Sequence, residues 1–317
     1  MYVDLHVHLR GTIIAATAER LAQKNGVAIS EETLRAPGYG WHDFASFLRV
    51  YEEVAAAIRT VGDLEEVAYE HLIRVASMGT AYVEFMLSPP HKRRNGISFA
   101  EQLGALDRAA DRARDLTGIE CRVIATAVRQ LGPVAAIDSA RTAIECRSPR
   151  LVGFGLTGDE RMYDAAEFRP AFAIARSEGL KATAHVGEHI GPETILPTIE
   201  ALHLDRVGHG VRAAESQAVM STLARLGIPL EVCLSSNIAL GVCSDIERHP
   251  IAALAEAGCV VTLGTDDPGF FSTTPAREYE LAQRAVTEPD VGGRITRAAI
   301  GAAFCDERTK ARLFGQL

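Results

Sequence analysis

The chain has 317 residues, of which 23% are charged and 47% apolar, and its formal net charge is -8. That size admits one large domain or two small ones, and the acidic balance argues against nucleic acid as a partner. No run of about 18 apolar residues appears, so a membrane span is not expected.

The N-terminus, Met1-Tyr2-Val3-Asp4-Leu5-His6, enters a strand-like pattern without a basic segment or cleavage site. No secretory signal is expected, and a cytoplasmic location is. The cysteines are Cys121, Cys146, Cys233, Cys243, Cys259 and Cys305, and none falls in a CxxC pair. They are expected to be free and buried, as in a reducing compartment. Cys233 and Cys243 are the two that could lie near a ligand.

Residues 2–9 alternate and place His6 and His8 on one face of a strand. Arg10-Gly11-Thr12 then turns the chain into a helix over 13–25. A helical block runs from Asp43 to about Arg59, with Phe44, Phe47, Leu48 and Tyr51 at helical spacing, and another covers 63–78. Residues 27–62 exceed an ordinary strand–helix connection. They are expected to form a helical insertion that roofs a pocket, with Phe44 and Phe47 either touching the substrate or serving as core.

From residue 80 the order is regular. Strands are expected at 80–87, 120–127, 151–157, 180–185, 206–209, 229–234 and 260–265. Helices fall between them at 98–117, 133–146, 164–178, near 192–202, 214–226 and 249–257, and helices 276–286 and 293–304 close the chain. With the first strand this makes eight strand–helix units, which favours one α/β domain spanning 1–317, a (β/α)8 barrel, over a doubly wound sheet. No Gly-rich phosphate loop follows the first strand, so a dinucleotide fold lacks its main support.

In a barrel the C-terminal strand ends share one face, and chemistry sits there. The last strand stops at Asp266-Asp267-Pro268, and a buried strand has no structural use for two adjacent carboxylates at its tip. His6, His8, His185 and His209 occupy the ends of other strands. Histidines and a carboxylate gathered this way suit one zinc ion, which accepts nitrogen and oxygen ligands and can keep a position for water. Glu188, three residues after His185, can reach the substrate and is assigned proton transfer. His209 beside Asp266 fits an acceptor for the proton of the activated water. Asp267 would hold the substrate ring.

His6-Val7-His8-Leu9, Val152 to Glu160 (VGFGLTGDE), His185-Val186-Gly187-Glu188, Val207-Gly208-His209-Gly210, Ser235-Ser236-Asn237 and Thr265-Asp266-Asp267-Pro268 occur in that order. The ordered set resembles the adenosine and adenine deaminases, a family of metal-dependent amidohydrolases that includes the aminodeoxyfutalosine deaminase branch. The resemblance implies one zinc bound by His6, His8, His185 and Asp266, with His209 orienting or deprotonating the water that zinc activates. It also implies that Glu188 protonates the ring nitrogen beside the attacked carbon. Asp267 would bind the five-membered ring, and the backbone of Gly158 the ring's other side. The expected reaction is hydrolytic loss of the 6-amino group of adenosine or a 5′-modified adenosine, with adenine, aminodeoxyfutalosine or another amino-heterocycle as the alternative.

Two positions depart from the family pattern. Adenosine deaminases carry an acid two residues after the second histidine, toward the ribose; here that position is Arg10. Pointing inward, its guanidinium would prefer an acidic acceptor on the substrate. Met86 stands where the family usually has arginine. The basic turn His91-Lys92-Arg93-Arg94 is a solvated loop or a contact for an acidic tail of the substrate. A two-metal hydrolase usually needs a bridging lysine on the fourth strand, and 151–157 contains none. A metal-stabilised binding protein would have no use for Glu188, His209 and Asp267. The sequence sets no number of subunits.

Overall fold

The structure is a computed structural model, and it describes residues 1–35, 38–89, 96–146 and 148–317. The turn His91–Arg94 lies outside the described residues.

The barrel strands are β1 Tyr2–His8, β2 Thr80–Leu87, β3 Glu120–Val128, β4 Leu151–Thr157, β5 Lys181–Val186, β6 Arg206–His209, β7 Leu230–Val232 and β8 Val261–Leu263. They pair in chain order as one parallel sheet of eight strands. Parallel strands are covered on both faces, which is why β2 and β6 to β8 read as nearly unbroken buried runs. The sheet meets itself through a parallel bridge between Val7 and Asp266. There the His8 N–H donates to Asp266 O at 2.8 Å, and the Asp266 N–H donates to His6 O at 2.8 Å. The expected (β/α)8 barrel is therefore nearly closed, just past the end of β8.

Three helices lie between β1 and β2, α1 Ala15–Asn25, α2 Phe44–Ala55 and α3 Val61–Ser77, and α2 is the one within the expected insertion 27–62. Between α1 and α2 lies a two-residue antiparallel pair, Leu34–Arg35 with Gly38–Tyr39, which the sequence reading did not anticipate. α2 is anchored by rings: Phe47 stacks on Phe271 at 5.3 Å and meets Phe270 edge-on at 5.7 Å. These contacts tie the insertion to the segment after β8.

Three other expectations are corrected. Residues 229–234 do not form one long strand: β7 stops at Val232, and Leu234–Ala239 is a short helix. A helix there lets the backbone N–H groups of Leu234 and Ser235 converge on the buried Glu278 carboxylate, at 2.8 and 3.3 Å. Helices 164–178 and 214–226 begin as 3₁₀ turns, Ala165–Phe168 and Val211–Glu215. A final helix, Glu307–Phe314, follows the one expected to end the chain; Asp306 caps it by accepting the Thr309 N–H at 2.9 Å. Cys121, Cys233, Cys243, Cys259 and Cys305 carry free thiols. No helix of the described residues is long and apolar enough to cross a membrane.

α3 illustrates how a local signal becomes tertiary. Thr60 and Asp63 form a capping box, and the buried Asp63 carboxylate also accepts from Lys24 Nζ at 2.7 Å and Asn25 Nδ2 at 2.8 Å on α1. Burial opposes ionisation, but these donors and the Arg59 and Thr60 N–H groups hold its pKa at about 2. A carboxyl depressed on folding contributes stability above its unfolded pKa of about 3.9, and loses it as pH falls toward the folded value. Asp63→Asn is expected to destabilise the chain by about 1–2 kcal/mol at pH 7 once solvent screening is allowed for. The gap to wild type should shrink between about pH 5 and pH 2. Thermal unfolding of the two metal-free proteins across that range checks it, and a gap that does not change with pH would contradict it.

Candidate active site

Barrel closure sets His6 and His8 on either side of Asp266. His8 Nε2 lies 3.2 Å from Asp266 Oδ1, and His6 Nε2 lies 3.8 Å from the same oxygen. From the end of β5, His185 brings its Nε2 to 3.2 Å from His6 Nε2. The ring of His209, ending β6, is 4.9 Å from the rings of both His6 and His185. Two overlapping groups of ligand-type atoms result, each within 4.8 Å: His6, His185, His209 and Asp266, and His8, Asp266 and Asp267.

The partners of the outer ring nitrogens test whether a metal fits. His6 Nδ1 faces Glu231 Oε2 at 2.7 Å, and His185 Nδ1 faces the carbonyl oxygen of Leu156 at 3.2 Å. Carboxylate and carbonyl oxygens only accept, so each Nδ1 carries the proton and each Nε2 presents a lone pair. Two lone pairs 3.2 Å apart in a buried site repel each other, and a shared cation removes that repulsion. Zinc–nitrogen bonds of about 2.0–2.1 Å at tetrahedral angles need a separation of about that size. The donor set fits one zinc ion.

Asp266 is prepared for the same role. Burial opposes its charge, but His8, His209 and His6 hold its carboxyl well below the usual range. Its Oδ2 accepts from Ser236 Oγ at 2.6 Å, which fixes the carboxylate plane. Asp266 and His209 both adopt left-handed backbone conformations, each with φ of 59°. Such conformations cost about 1–3 kcal/mol in a non-glycine residue and persist where surrounding bonds enforce them. Here the two β1 backbone bonds to Asp266 do so.

Above these groups opens a cavity of about 870 Å³, with His8, His185, His209, Asp266 and Asp267 at its base. Phe44, Phe47, Leu48 and Tyr51 of α2 line its apolar side. Five buried polar atoms of cavity-lining residues make no hydrogen bond: Glu188 Oε1, His209 Nε2, Asp267 Oδ1, Gln130 Oε1 and His189 Nε2. Unpaired polar atoms in a buried site are costly unless a ligand or water satisfies them. Burial, followed by the neighbouring charges of Asp266, Glu160 and Asp267, pushes the Glu188 carboxyl well above its ordinary pKa and favours its protonated form. Burial and Asp266 do the same to Asp267.

Two glycines permit close approaches that no other residue would. At Gly158, with φ of +96°, a Cβ would fall 2.0 Å from Gln130 Oε1. At Gly264 a Cβ would fall 2.4 Å from His6 Cβ, so β8 could not lie against β1.

Of the residues singled out by sequence, His8, Phe44, Phe47, Gly158, His185, Glu188, His209, Asp266 and Asp267 line the cavity. His6 lies fully buried beneath them. Arg10 does not join them: it is buried in the turn Leu9–Thr12 and is absent from the cavity wall. Met86 is buried in β2, and Cys233 and Cys243 do not reach the cavity.

Several supporting groups escaped the sequence reading. Glu160 accepts the consecutive backbone N–H groups of Glu188, His189 and Ile190 at 3.0, 3.3 and 3.1 Å, and so shapes the turn that carries Glu188. Arg206, fully buried, bridges Glu84 Oε2 and Glu231 Oε1, each at 2.6 Å. The signal was available: Glu231 is the middle residue of Leu230-Glu231-Val232, an acid inside a short apolar strand.

The model of the adenosine deaminase family matches residues 2–317. An adenine deaminase of Rhizobium leguminosarum bv. trifolii (strain WSM2304) is 43% identical over 316 residues, covering 99% of this chain and 98% of that protein. An adenine deaminase of Rhizobium meliloti (strain 1021) is 41% identical over 315 residues, covering 99% and 97%. Among solved structures, adenine deaminase from Arthrobacter aurescens superposes with a TM-score of 0.92 at 25% identity, covering 99% of this chain and 97% of that one. An amidohydrolase from Burkholderia ambifaria with bound Zn gives a TM-score of 0.87 at 25% identity, covering 99% and 88%. With the match running the length of the chain and a zinc-fitting donor set at the barrel mouth, the chain belongs to the adenosine deaminase family and is a zinc-dependent hydrolase that deaminates an amino-heterocycle.

Proposed function

We propose that the substrate is free adenine, converted to the 6-oxopurine with release of ammonia. The observation that carries this reading is the 43% identity, over 99% of the chain, to an adenine deaminase. The identity of residue 10 supports it: nucleoside deaminases keep an acid for the ribose at this position, whereas here it is a buried arginine that is not among the cavity-lining residues. The nucleoside reading taken from the sequence therefore gives way to its alternative.

His6, His8, His185 and Asp266 would hold one zinc. Bound there, zinc supplies Lewis acidity and makes a water nucleophilic near neutral pH. The protonated Glu188 donates to the ring nitrogen beside C6 and draws electron density from that carbon. Asp267, also protonated, donates to a nitrogen of the five-membered ring and sets the purine's orientation. The backbone of Gly158 lies along another edge of the ring, and Phe44 and Phe47 exclude water from above it. Overall, the water oxygen bonds to C6 and the C6–amine bond breaks; one water proton replaces the one that Glu188 gave to the ring nitrogen, and the other leaves on the amine as ammonia. Residues 27–62 serve as the lid of a single barrel domain.

A volume of about 870 Å³ would also admit a nucleoside, so discrimination has to be measured. Ammonia release from the zinc-loaded protein is compared on adenine, adenosine, AMP and aminodeoxyfutalosine, with guanine and cytidine as controls. Adenine is expected to show a kcat/KM at least about tenfold above adenosine, a difference of roughly 1.4 kcal/mol in transition-state binding. Adenosine or an acidic 5′-derivative outperforming adenine would overturn the reading.

A further inference from the structure

The two candidate ligand groups share only Asp266, and His209 belongs to the first while His8 belongs to the second. A chain of three polar contacts behind His209 distinguishes them. It starts at His249, a buried histidine that the reaction does not use. The backbone N–H of Ile251 donates to His249 Nδ1 at 3.2 Å. A backbone amide can only donate, so Nδ1 is the lone-pair nitrogen, and the proton of the neutral ring sits on Nε2. Burial holds the ring's pKa down at about 4, so it is neutral in ordinary buffers.

His249 Nε2 lies 3.2 Å from Asn237 Oδ1. With the proton on that nitrogen, the contact is a donation to the amide oxygen, and the amide orientation follows. The Asn237 Nδ2 group then faces His209 Nδ1 at 3.5 Å, a long but donor-to-acceptor contact. Turning the amide over would set its NH₂ against the N–H of His249, leaving buried donors opposed. Asn237 is fully buried, and its own N–H is bonded to Cys233 O at 2.9 Å.

We infer that His249 and Asn237 are positioning residues that fix His209 in the tautomer with its proton on Nε2. His6 and His185 have acceptors behind Nδ1 and present a bare Nε2 to the metal. His209 has a donor behind Nδ1 and presents an N–H. It is then unsuited to ligate zinc through Nε2, which leaves His6, His8, His185 and Asp266 as the set. In the reaction it holds the attacking water by donating to its oxygen. Of the two roles that the family resemblance offered, orienting and deprotonating, the relay selects the first. His209 Nε2, which makes no hydrogen bond in the protein and lies 3.6 Å from Glu188 Oε2 at the cavity wall, is the donor so created.

The catalytic consequence rests on the deaminase reading, whereas the tautomer does not, and the test separates them. Protein labelled with ¹⁵N-histidine is examined by NMR, metal-free and zinc-loaded, with the His209 signals assigned through His209→Gln. The expected result is an unprotonated Nδ1 and a protonated Nε2 in both states. A protonated Nδ1 in wild type would overturn the inference. Asn237→Asp is nearly isosteric but offers only acceptor oxygens, so it should move the proton of His209 to Nδ1. It should also lower kcat at least about 100-fold with little change in KM, as wrong-tautomer imidazoles do elsewhere. His249→Gln keeps a side-chain N–H donor and should retain the wild-type tautomer, whereas His249→Leu should not. A wild-type tautomer in both Asn237→Asp and His249→Leu would refute the relay. If no aminopurine is turned over but the tautomers behave as stated, the inference stands and the proposed substrate fails.

Discussion

Glu231→Gln is expected to weaken zinc binding about 10- to 100-fold and to lower stability by about 3–5 kcal/mol. Both effects come from one fully buried carboxylate. Its Oε2 accepts from His6 Nδ1 at 2.7 Å, and its Oε1 accepts from Arg206 Nε at 2.6 Å and Thr183 Oγ1 at 2.9 Å. Burial alone would push its pKa up, but Arg206 and His6 hold it at about 2, so the group is charged at any working pH. The glutamine amide has one oxygen for these donors and a nitrogen that must face one of them. If the oxygen turns to Arg206, His6 loses the acceptor that keeps its proton on Nδ1, and Nε2 is no longer reserved for the metal. If it turns to His6, the guanidinium keeps Glu84 alone as a charged partner. Arg206 also donates to Ala302 O at 3.0 Å and lies 3.6 Å over the Phe304 ring, so a disturbance there reaches the C-terminal segment. Chelator competition measures the zinc affinity, and thermal unfolding of metal-free protein measures stability. Lost stability with unchanged zinc affinity would mean that Glu231 supports the barrel without tuning His6.

Glu188→Gln is expected to lower kcat by about 10²- to 10⁴-fold while zinc content and KM change little. The carboxyl is buried with one oxygen unpartnered, and Asp266, Glu160 and Asp267 discourage its ionisation. Glutamine fills the same space and can still donate a hydrogen bond, but it cannot transfer a proton to the ring nitrogen. The loss should therefore appear in kcat, because the interaction removed is one made in the transition state. Steady-state kinetics with metal analysis of each preparation is the check. Near-wild-type turnover in a fully zinc-loaded variant would remove Glu188 from the proton-transfer role.

The contrast between Glu188 and Glu231 shows where the sequence was informative. Glu188 stood out because it follows His185 at a strand-to-helix corner, within one short motif. Glu231 carries as much of the site's order but sits alone in a three-residue strand, 225 positions from the histidine it holds. Arg10 shows the same limit. Its neighbours along the chain place it at the barrel mouth, and in the structure it is buried in the turn Leu9–Thr12, close enough to bear on the cavity-lining Tyr51 without lining the cavity itself. Leu234 to Asn237 read as a strand end because the apolar run continues past Val232, yet the N–H groups of Leu234 and Ser235 find their partner on Glu278, about forty residues further on.

Local patterning was enough for the eight-strand alternation, the histidines and acids at the strand ends, and the helical insertion after β1. Each depends on residues within one turn of helix or one strand, and apolar periodicity reports that directly. The tautomers of His6, His185 and His209 and the raised pKa of Glu188 depend on partners 28 to 225 residues away. Those properties arise from burial and from which oxygen or N–H stands behind each side chain, and these exist only once the barrel has closed.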